Sequence, residues 1–494
     1  MSSARAPLGS VCVLGSGQLA ALAALALKQA LPGASVTVLA APLHPGAFVD
    51  RATTSLPAAL GALHARLGIA DEEVVARCGG SHRLVTRYIG WREDGPAAAS
   101  YGEGVDPYLR TAFVRDWGGG ARSGGQATQQ RQSLADVLAS AGRYGIASDI
   151  AATTGAGVEA ALRWNANAYR DLLIGRAQAA GIEYRAAKVQ GAVPNGQGGV
   201  AALSLEGGSE LQADLFLDCS GPDASLLNSH PEAKRIDWGE MLPVRRIVFA
   251  RPGEGMVALE DRQSLVSTGR IEEFAGRDGL QISIAASGEM PEQAVVDSLR
   301  AEAVGQLFVA PGRAEHAWLG NVVALGDAAC AVEPTGGYGF DLAVRQLALL
   351  LEMLPGRDIH PLERKEYNRR AALMADGVSD VLAAHYCAPR AKAVFGEPRR
   401  SERLATALDQ FARRGRLPFW EDAALQGQEW AALLVALGHA VGETPQARAV
   451  GEGELMMARR QFEAQAQATL EAMPPYQLYL QGLLQQAGAL SPAM

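Results

Sequence analysis

Cysteine is scarce and never clustered. The five cysteines, Cys12, Cys78, Cys219, Cys330 and Cys387, form no CxxC pair, and their odd number argues against a disulfide scaffold or a zinc site. Cys12, Cys219 and Cys330 read as small buried hydrophobes. The eight histidines are dispersed, with no HxxxH or HExxH, so no metal site is expected. Basic runs are missing as well. The net charge is −8, and no Lys/Arg-rich stretch offers a nucleic-acid surface. The apolar run at 19–31 is shorter than the roughly 18–20 residues a membrane span requires, and it contains Gln29 and Lys28. No signal peptide is evident near the start, so a cytoplasmic location without membrane contact is the expectation.

What remains is an ordinary globular composition, 48% hydrophobic and 20% charged over 494 residues, enough for a large core in several layers. Residues 10–15, SVCVLG, read as a buried strand, 18–30 as a helix of Leu and Ala, and 35–40 as a second strand. Strand, glycine turn, helix and strand open a dinucleotide-binding unit. Gly15 permits the tight turn, Gly17 lets the backbone approach a pyrophosphate, and Ala20 keeps helix and strand close. The pyrophosphate would then rest on the positive helix terminus. The acidic residue that usually ends the second strand is absent, because Ala40 and Ala41 stand there.

Further along, 56–68 reads as a helix, 83–91 as a strand, 93–133 as a Gly/Ser/Gln-rich surface loop or lid, and 155–180 as helical. Alternating stretches at 182–206, 210–218 and 279–286 read as strands, and 290–307 as a helix. Residues 213–221, ADLFLDCSG, and 321–327, NVVALGD, read as strands returning to the first unit. Asp327, at the end of the latter, could accept a hydrogen bond from a ribityl hydroxyl of FAD. Pro334, Gly339 and the following helix terminus could lie against the isoalloxazine and phosphates. From about 345 the chain reads as helical, a cap over a substrate cavity.

These segments together carry a resemblance. VCVLGSGQLA, the run at 67–91 (LGIADEEVVARCGGSHRLVTRYIGW), ADLFLDCSG, GDAACAVEPTGGYG at 326–339, PFW at 418–420 and QEWAALLVALG resemble, in order, the flavin-dependent tryptophan halogenases. The resemblance implies an α/β, two-dinucleotide-fold FAD-binding flavoprotein with a β-sheet substrate region and a C-terminal helical cap. On that reading residues 1–345 form the FAD module with interleaved substrate-domain segments, and 346–494 the cap. It also implies that reduced FAD, delivered by a separate flavin reductase, and oxygen turn halide into hypohalous acid. A lysine and a glutamate then direct the halogen to a small organic substrate, aromatic or indole-like.

The chain departs from that pattern where the chemistry lies. The family's phenylalanine-lysine pair falls on His82-Arg83, and arginine has no neutral amine to offer near neutral pH. The family glutamate, two residues after the proline, falls on Gly336. The serine and threonine that follow become Gly337 and Tyr338. The GEAT motif becomes Asp50-Arg51-Ala52-Thr53. The tryptophan-rich signature expected at 262–285 is missing. The candidate cofactor residues are therefore Gly15, Gly17, Ala20, Arg51, Ala52, Thr53, Asp327, Pro334 and Gly339. The candidate catalytic residues are Arg83, His82 and Tyr338, His82 as an acid or base of ordinary near-neutral pKa. Three functions are open: an FAD-dependent oxygenase or oxidase, a halogenase with a rearranged site, and a flavin-binding protein without catalysis.

Overall fold

The computed structural model describes residues 6–102, 133–145, 157–196 and 198–490. Its centre is a six-stranded sheet. The strand Ser10–Leu14 lies between Ser35–Leu39 and Leu215–Asp218, parallel to both, with Val11 opposite Val36 on one side and Leu215 on the other. Glu183–Arg185 extends one edge, while Val322–Ala324 and the short antiparallel Trp318–Leu319 extend the other. Covered on both faces, such strands must be apolar at nearly every position. The central ones, VCVL and LFL, are.

The helix Gln18–Ala30 follows the first strand directly. Nine of its residues are buried, including Leu19, Leu22 and Leu27 and a series of alanines. The alanines allow close approach to the helices Ala166–Ala179 and Tyr338–Glu352, which pack against it. Gly15 makes the preceding turn with φ +151°, and a methyl group there would come within 2.7 Å of the Cys219 carbonyl. All five cysteines are buried and free.

A second, seven-stranded sheet runs in the order Ala303–Phe308, Val244–Ala250, Gln281–Ser287, Gly269–Phe274, Glu260–Val266, Val85–Ile89, Ala97–Ser100. Its pairings are antiparallel except that between Glu260–Val266 and Val85–Ile89. The short pair Ser81–Arg83 and Ala161–Arg163 links this sheet to the first unit. From Tyr338 onward every described helix or strand is a helix. This is the mixed α/β fold with several sheets and a helical C-terminal region that the sequence implies. Among the described residues no helix is long and apolar enough to cross a membrane.

Four expectations need correction. The stretch 155–180 is not helical throughout: Ala161–Arg163 is a strand paired with Ser81–Arg83, and the helix begins at Ala166, capped by the Asn165 side chain. The stretch 290–307 is helical only over Glu292–Ser298. Arg300 takes a left-handed conformation, φ +50°, and Ala303–Phe308 pairs as an edge strand with Val244–Ala250. The expected strand at 83–91 is two strands, Ser81–Arg83 and Val85–Ile89. The loop expected at 93–133 contains the strand Ala97–Ser100, and its residues 103–132 lie outside the described residues. In each case pairing with distant strands overrides local propensity.

Replacing Gly15 by alanine should cost about 1–3 kcal/mol through the left-handed backbone and the clash with the Cys219 carbonyl. Urea denaturation followed by circular dichroism checks this, and an unchanged midpoint would contradict the geometry.

Candidate cofactor and substrate site

The Gln18–Ala30 helix begins at Gly17, and the segment 49–52 is strapped across that beginning. The Gln18 side-chain amide donates to the carbonyls of Val49, at 2.8 Å, and Ala52, at 2.9 Å. The Trp164 indole donates to the Gln18 side-chain oxygen at 3.0 Å and fixes its orientation. Asp50 lies over Gly17, and its Oδ1 accepts from the Leu19 amide at 3.0 Å. Burial pushes the Asp50 carboxyl up to about 6, opposed by the Leu19 amide, Arg170 and Arg51.

The same segment meets the end of the strand Val322–Ala324. Asp327, in the turn that follows, accepts from the Val49 amide through Oδ2 at 2.8 Å. Its other oxygen, Oδ1, is buried without a hydrogen-bond partner, and burial pushes its pKa well above the usual carboxylate range. An orphaned buried acceptor of this kind calls for a donor.

Asp327 borders a cleft that also contains Arg51, Ala52, Thr53, Pro334 and Gly339. Six of the nine candidate cofactor residues are thus together, while Gly15, Gly17 and Ala20 lie at the far end of the strap, at the head of the helix. The opposite wall comes from the second sheet: Phe249, Phe274 and the run Gln281–Ser283. Sequence reasoning missed these wall residues. They come from three separate strands, and no local motif marks them.

The cleft has the chemistry a flat apolar ring with a polyhydroxyl tail needs, since the phenylalanines and Val332 offer apolar surface and Asp327 Oδ1 is a buried oxygen without a partner. The phosphate end differs, because the Asp50 carboxylate already occupies the space that Gly17 leaves free. A methyl group on Gly17 would fall 1.9 Å from the Asp50 carboxyl carbon.

Beyond Gly337 the site becomes ionic. Arg83 is fully buried. Its Nη1 donates to Asp261 at 2.8 Å, and its Nη2 donates to the carbonyls of Gly336 at 3.1 Å and Ser55 at 3.2 Å. The Tyr101 ring lies 5.0 Å from the guanidinium carbon. Asp261 also holds Arg163. A second cluster adjoins: Arg270 contacts Glu272 at 3.3 Å and Glu333 at 3.4 Å, and Tyr386 donates to Glu333. Burial pushes Glu272 up to about 7 against the pull of Arg270, and the Gly336 backbone hydrogen-bonds its carboxylate.

Tyr338 heads the helix Tyr338–Glu352 and is buried. Its ring folds back over Gly336, where a methyl group would meet it at 2.9 Å. Gly336 and Tyr338 are therefore a matched pair, the ring filling what a side chain at 336 would occupy. His82 is not brought into this site. Adjacent strand residues face opposite ways, and His82 faces Tyr144, Tyr476 and Tyr479, with its backbone amide donating to the Tyr476 hydroxyl at 2.6 Å. Burial and Arg163 pull its pKa down to about 4.

The family model for tryptophan halogenase matches residues 10–258 and 283–452. The chain belongs to the tryptophan halogenase family. It is 23% identical to the tryptophan 7-halogenase RebH of Lentzea aerocolonigenes over 82% of this chain and 81% of that one. In three dimensions it resembles Xcc4156, a flavin-dependent halogenase from Xanthomonas campestris, with TM-score 0.85 and 21% identity over 97% of this chain and 98% of that one. It also resembles BrvH, a flavin-dependent halogenase from Brevundimonas sp. BAL3, with TM-score 0.83 and 21% identity over 96% and 99%. Within the tryptophan halogenase match, residues 259–282 are left out. That gap carries Asp261, Arg270 and Glu272, the charged partners that sequence reasoning passed over. Their only sequence signal is charge within an otherwise ordinary strand pattern.

Asp261→Asn leaves two buried guanidiniums without their shared anion and should cost about 3–5 kcal/mol in chemical denaturation. Glu272 gives a pH signature. Its folded pKa, near 7, lies above the ordinary 4.5, so the folded state holds the extra proton and stability falls as pH rises through that interval. Glu272→Gln should flatten that part of the stability profile, read as the difference between the two proteins' melting temperatures from pH 4.5 to 7.5 (about the span of the shift).

Proposed function

We propose that this chain is an FAD-dependent oxidoreductase that uses reduced FAD and oxygen to oxygenate or oxidise a small organic substrate with an aromatic ring, rather than to halogenate it. The observation that carries this reading is the state of Arg83. At the position where a family halogenase offers a lysine amine, this chain has a cation already committed to Asp261, Gly336 and Ser55. A guanidinium buried and held at both Nη atoms neither forms a bond to halogen nor moves to direct one. Gly336 removes the carboxylate that would act with it.

The chain's own groups supply binding and orientation. Asp327 Oδ1 would hydrogen-bond the ribityl chain, and Phe249, Phe274 and Phe340, which line the cleft, would exclude water from the ring. FAD, when bound in reduced form, supplies the electrons that activate oxygen. Tyr338 is the candidate for the substrate side, a neutral phenol whose pKa burial raises and whose side chain hydrogen-bonds Tyr88, so it would orient a substrate without carrying charge. Arg83 holds the 336–338 turn in place and keeps a positive field beneath it. His82 keeps the Ser81–Arg83 strand seated against the C-terminal helix through Tyr476. The relatives are named for tryptophan, which makes an indole the first substrate class to try. A separate flavin reductase supplies the reduced cofactor.

The purified chain should be given FAD, an unrelated flavin reductase with NADH, air and tryptophan or indole, with and without bromide. The expected product is heavier by one oxygen atom, or is a dehydrogenated substrate, and is independent of bromide. A brominated product that vanishes when bromide is omitted would establish the halogenase alternative. Bound FAD with no product from a broad aromatic panel would favour the flavin-binding protein.

A further inference from the structure

We infer that Asp50 sets the cofactor specificity of this chain by occupying the phosphate seat at the head of its first helix, so that a diphosphate-bearing flavin binds tightly only when that carboxylate is neutralised or removed. The inference rests on the flavin reading of the cleft and concerns its other end.

The second glycine of a strand-turn-helix nucleotide unit lacks a side chain so that phosphate oxygens can approach the backbone and the positive end of the helix. Here that space is already filled. The position a methyl group on Gly17 would take lies 1.9 Å from the Asp50 carboxyl carbon and 2.0 and 2.3 Å from its two oxygens. Asp50 Oδ1 also takes the hydrogen bond from the Leu19 amide, in the first turn of a 13-residue helix. An internal anion thus makes the contact that a phosphate oxygen would make. The strap cannot easily carry Asp50 away, because Val49 and Ala52 on either side are held by Gln18.

The two ends of the site are therefore unequal. At the flavin end Asp327 Oδ1 is buried without a hydrogen-bond partner. At the nucleotide end the phosphate seat is taken, and the strand Ser35–Leu39 ends at Ala40, which offers nothing to a ribose. A diphosphate diester stays ionised across the working pH range, so it and an ionised Asp50 repel at contact distance.

The charged and titratable groups around Asp50 are Arg51 on its own turn, Arg170 from the helix Ala166–Ala179, Asp327 from the facing turn and Cys219, just after the strand Leu215–Asp218. Arg51 is exposed and borders the cleft, where it can follow a phosphate, while burial and the nearby Asp50 both push the Asp327 pKa up. Since the Asp50 carboxyl titrates near 6, FAD affinity should rise as pH falls through that value.

The test compares FAD with riboflavin, which lacks phosphate, by titration calorimetry or flavin fluorescence on wild type, Asp50→Gly and Asp50→Asn. Asp50→Gly should tighten FAD roughly tenfold or more at pH 8 and leave riboflavin unchanged, since only the phosphate meets the carboxylate. Asp50→Asn keeps the bulk and a hydrogen-bond acceptor while removing the charge. It should give part of the gain and serves if the glycine variant folds poorly. Lowering the pH to 5.5 should tighten FAD on wild type but not on Asp50→Gly. Equal FAD affinity in wild type and both variants, with riboflavin bound by all, would overturn the inference and leave the flavin reading standing. Equal gains for FAD and riboflavin would overturn it too, because the effect would then be packing. If no protein binds either ligand, the flavin reading itself falls and the inference with it.

Discussion

Two guanidinium groups share one carboxylate in the interior, and the architecture of the site hangs on that arrangement. Arg83 comes from the strand Ser81–Arg83, Arg163 from its partner strand, and Asp261 from the seven-stranded sheet. The triad joins the linking strand pair to the larger sheet, and through the Gly336 carbonyl it reaches the turn at the head of the helix Tyr338–Glu352. None of the three tolerates the interior alone, because stripping water from an isolated charge costs several kcal/mol. They are in place together or the region does not form. A lysine at 83 would have one short-range point charge to offer. The arginine fork reaches Asp261 and two carbonyls at once.

The neighbouring cluster of Arg270, Glu272, Glu333 and Tyr386 follows the same rule with the balance reversed, two carboxylates around one guanidinium. Both clusters touch Gly336, one at its carbonyl and one at its amide. Gly336 is a junction of backbone hydrogen bonds between two buried ionic groups. The Tyr338 ring covers it. Arg83, Gly336 and Tyr338 therefore form one structural unit rather than three separate features, and the segment 259–282 outside the family match supplies the counter-charges Asp261 and Glu272.

Much of the first unit was legible in the chain itself. SVCVLGSGQLA could hardly be anything other than a strand, a glycine turn and a helix, because a run buried on both faces has no alternation to confuse, and the helix Gln18–Ala30 falls where it was read. Ala303–Phe308 was not legible, since its partner lies some fifty residues away in Val244–Ala250 and nothing local distinguishes an edge strand from the end of a helix. At the site, motif residues such as Asp327 and Pro334 could be located because glycines and chain reversals flag them. Phe249, Phe274, Asp261 and Glu272 could not, since strand residues become a wall or a counter-ion only when the sheet folds over the cleft. His82 shows the opposite failure. A polar residue beside a candidate was read as its companion, although strand alternation sends the two to different faces.

The Gln18 strap has a consequence for how ligands are sensed. Val49 gives its amide to Asp327 and its carbonyl to Gln18, while Asp50, one residue on, sits at the helix head. A single peptide segment thus reaches both ends of the candidate site and is fastened at each. Displacing Asp50 must tug on the amide that Asp327 holds, and filling the open side of Asp327 must stiffen the ground under Asp50. The two halves of a dinucleotide, offered as separate fragments, would accordingly not bind as strangers: occupancy by one would be registered by the other through a lever four residues long.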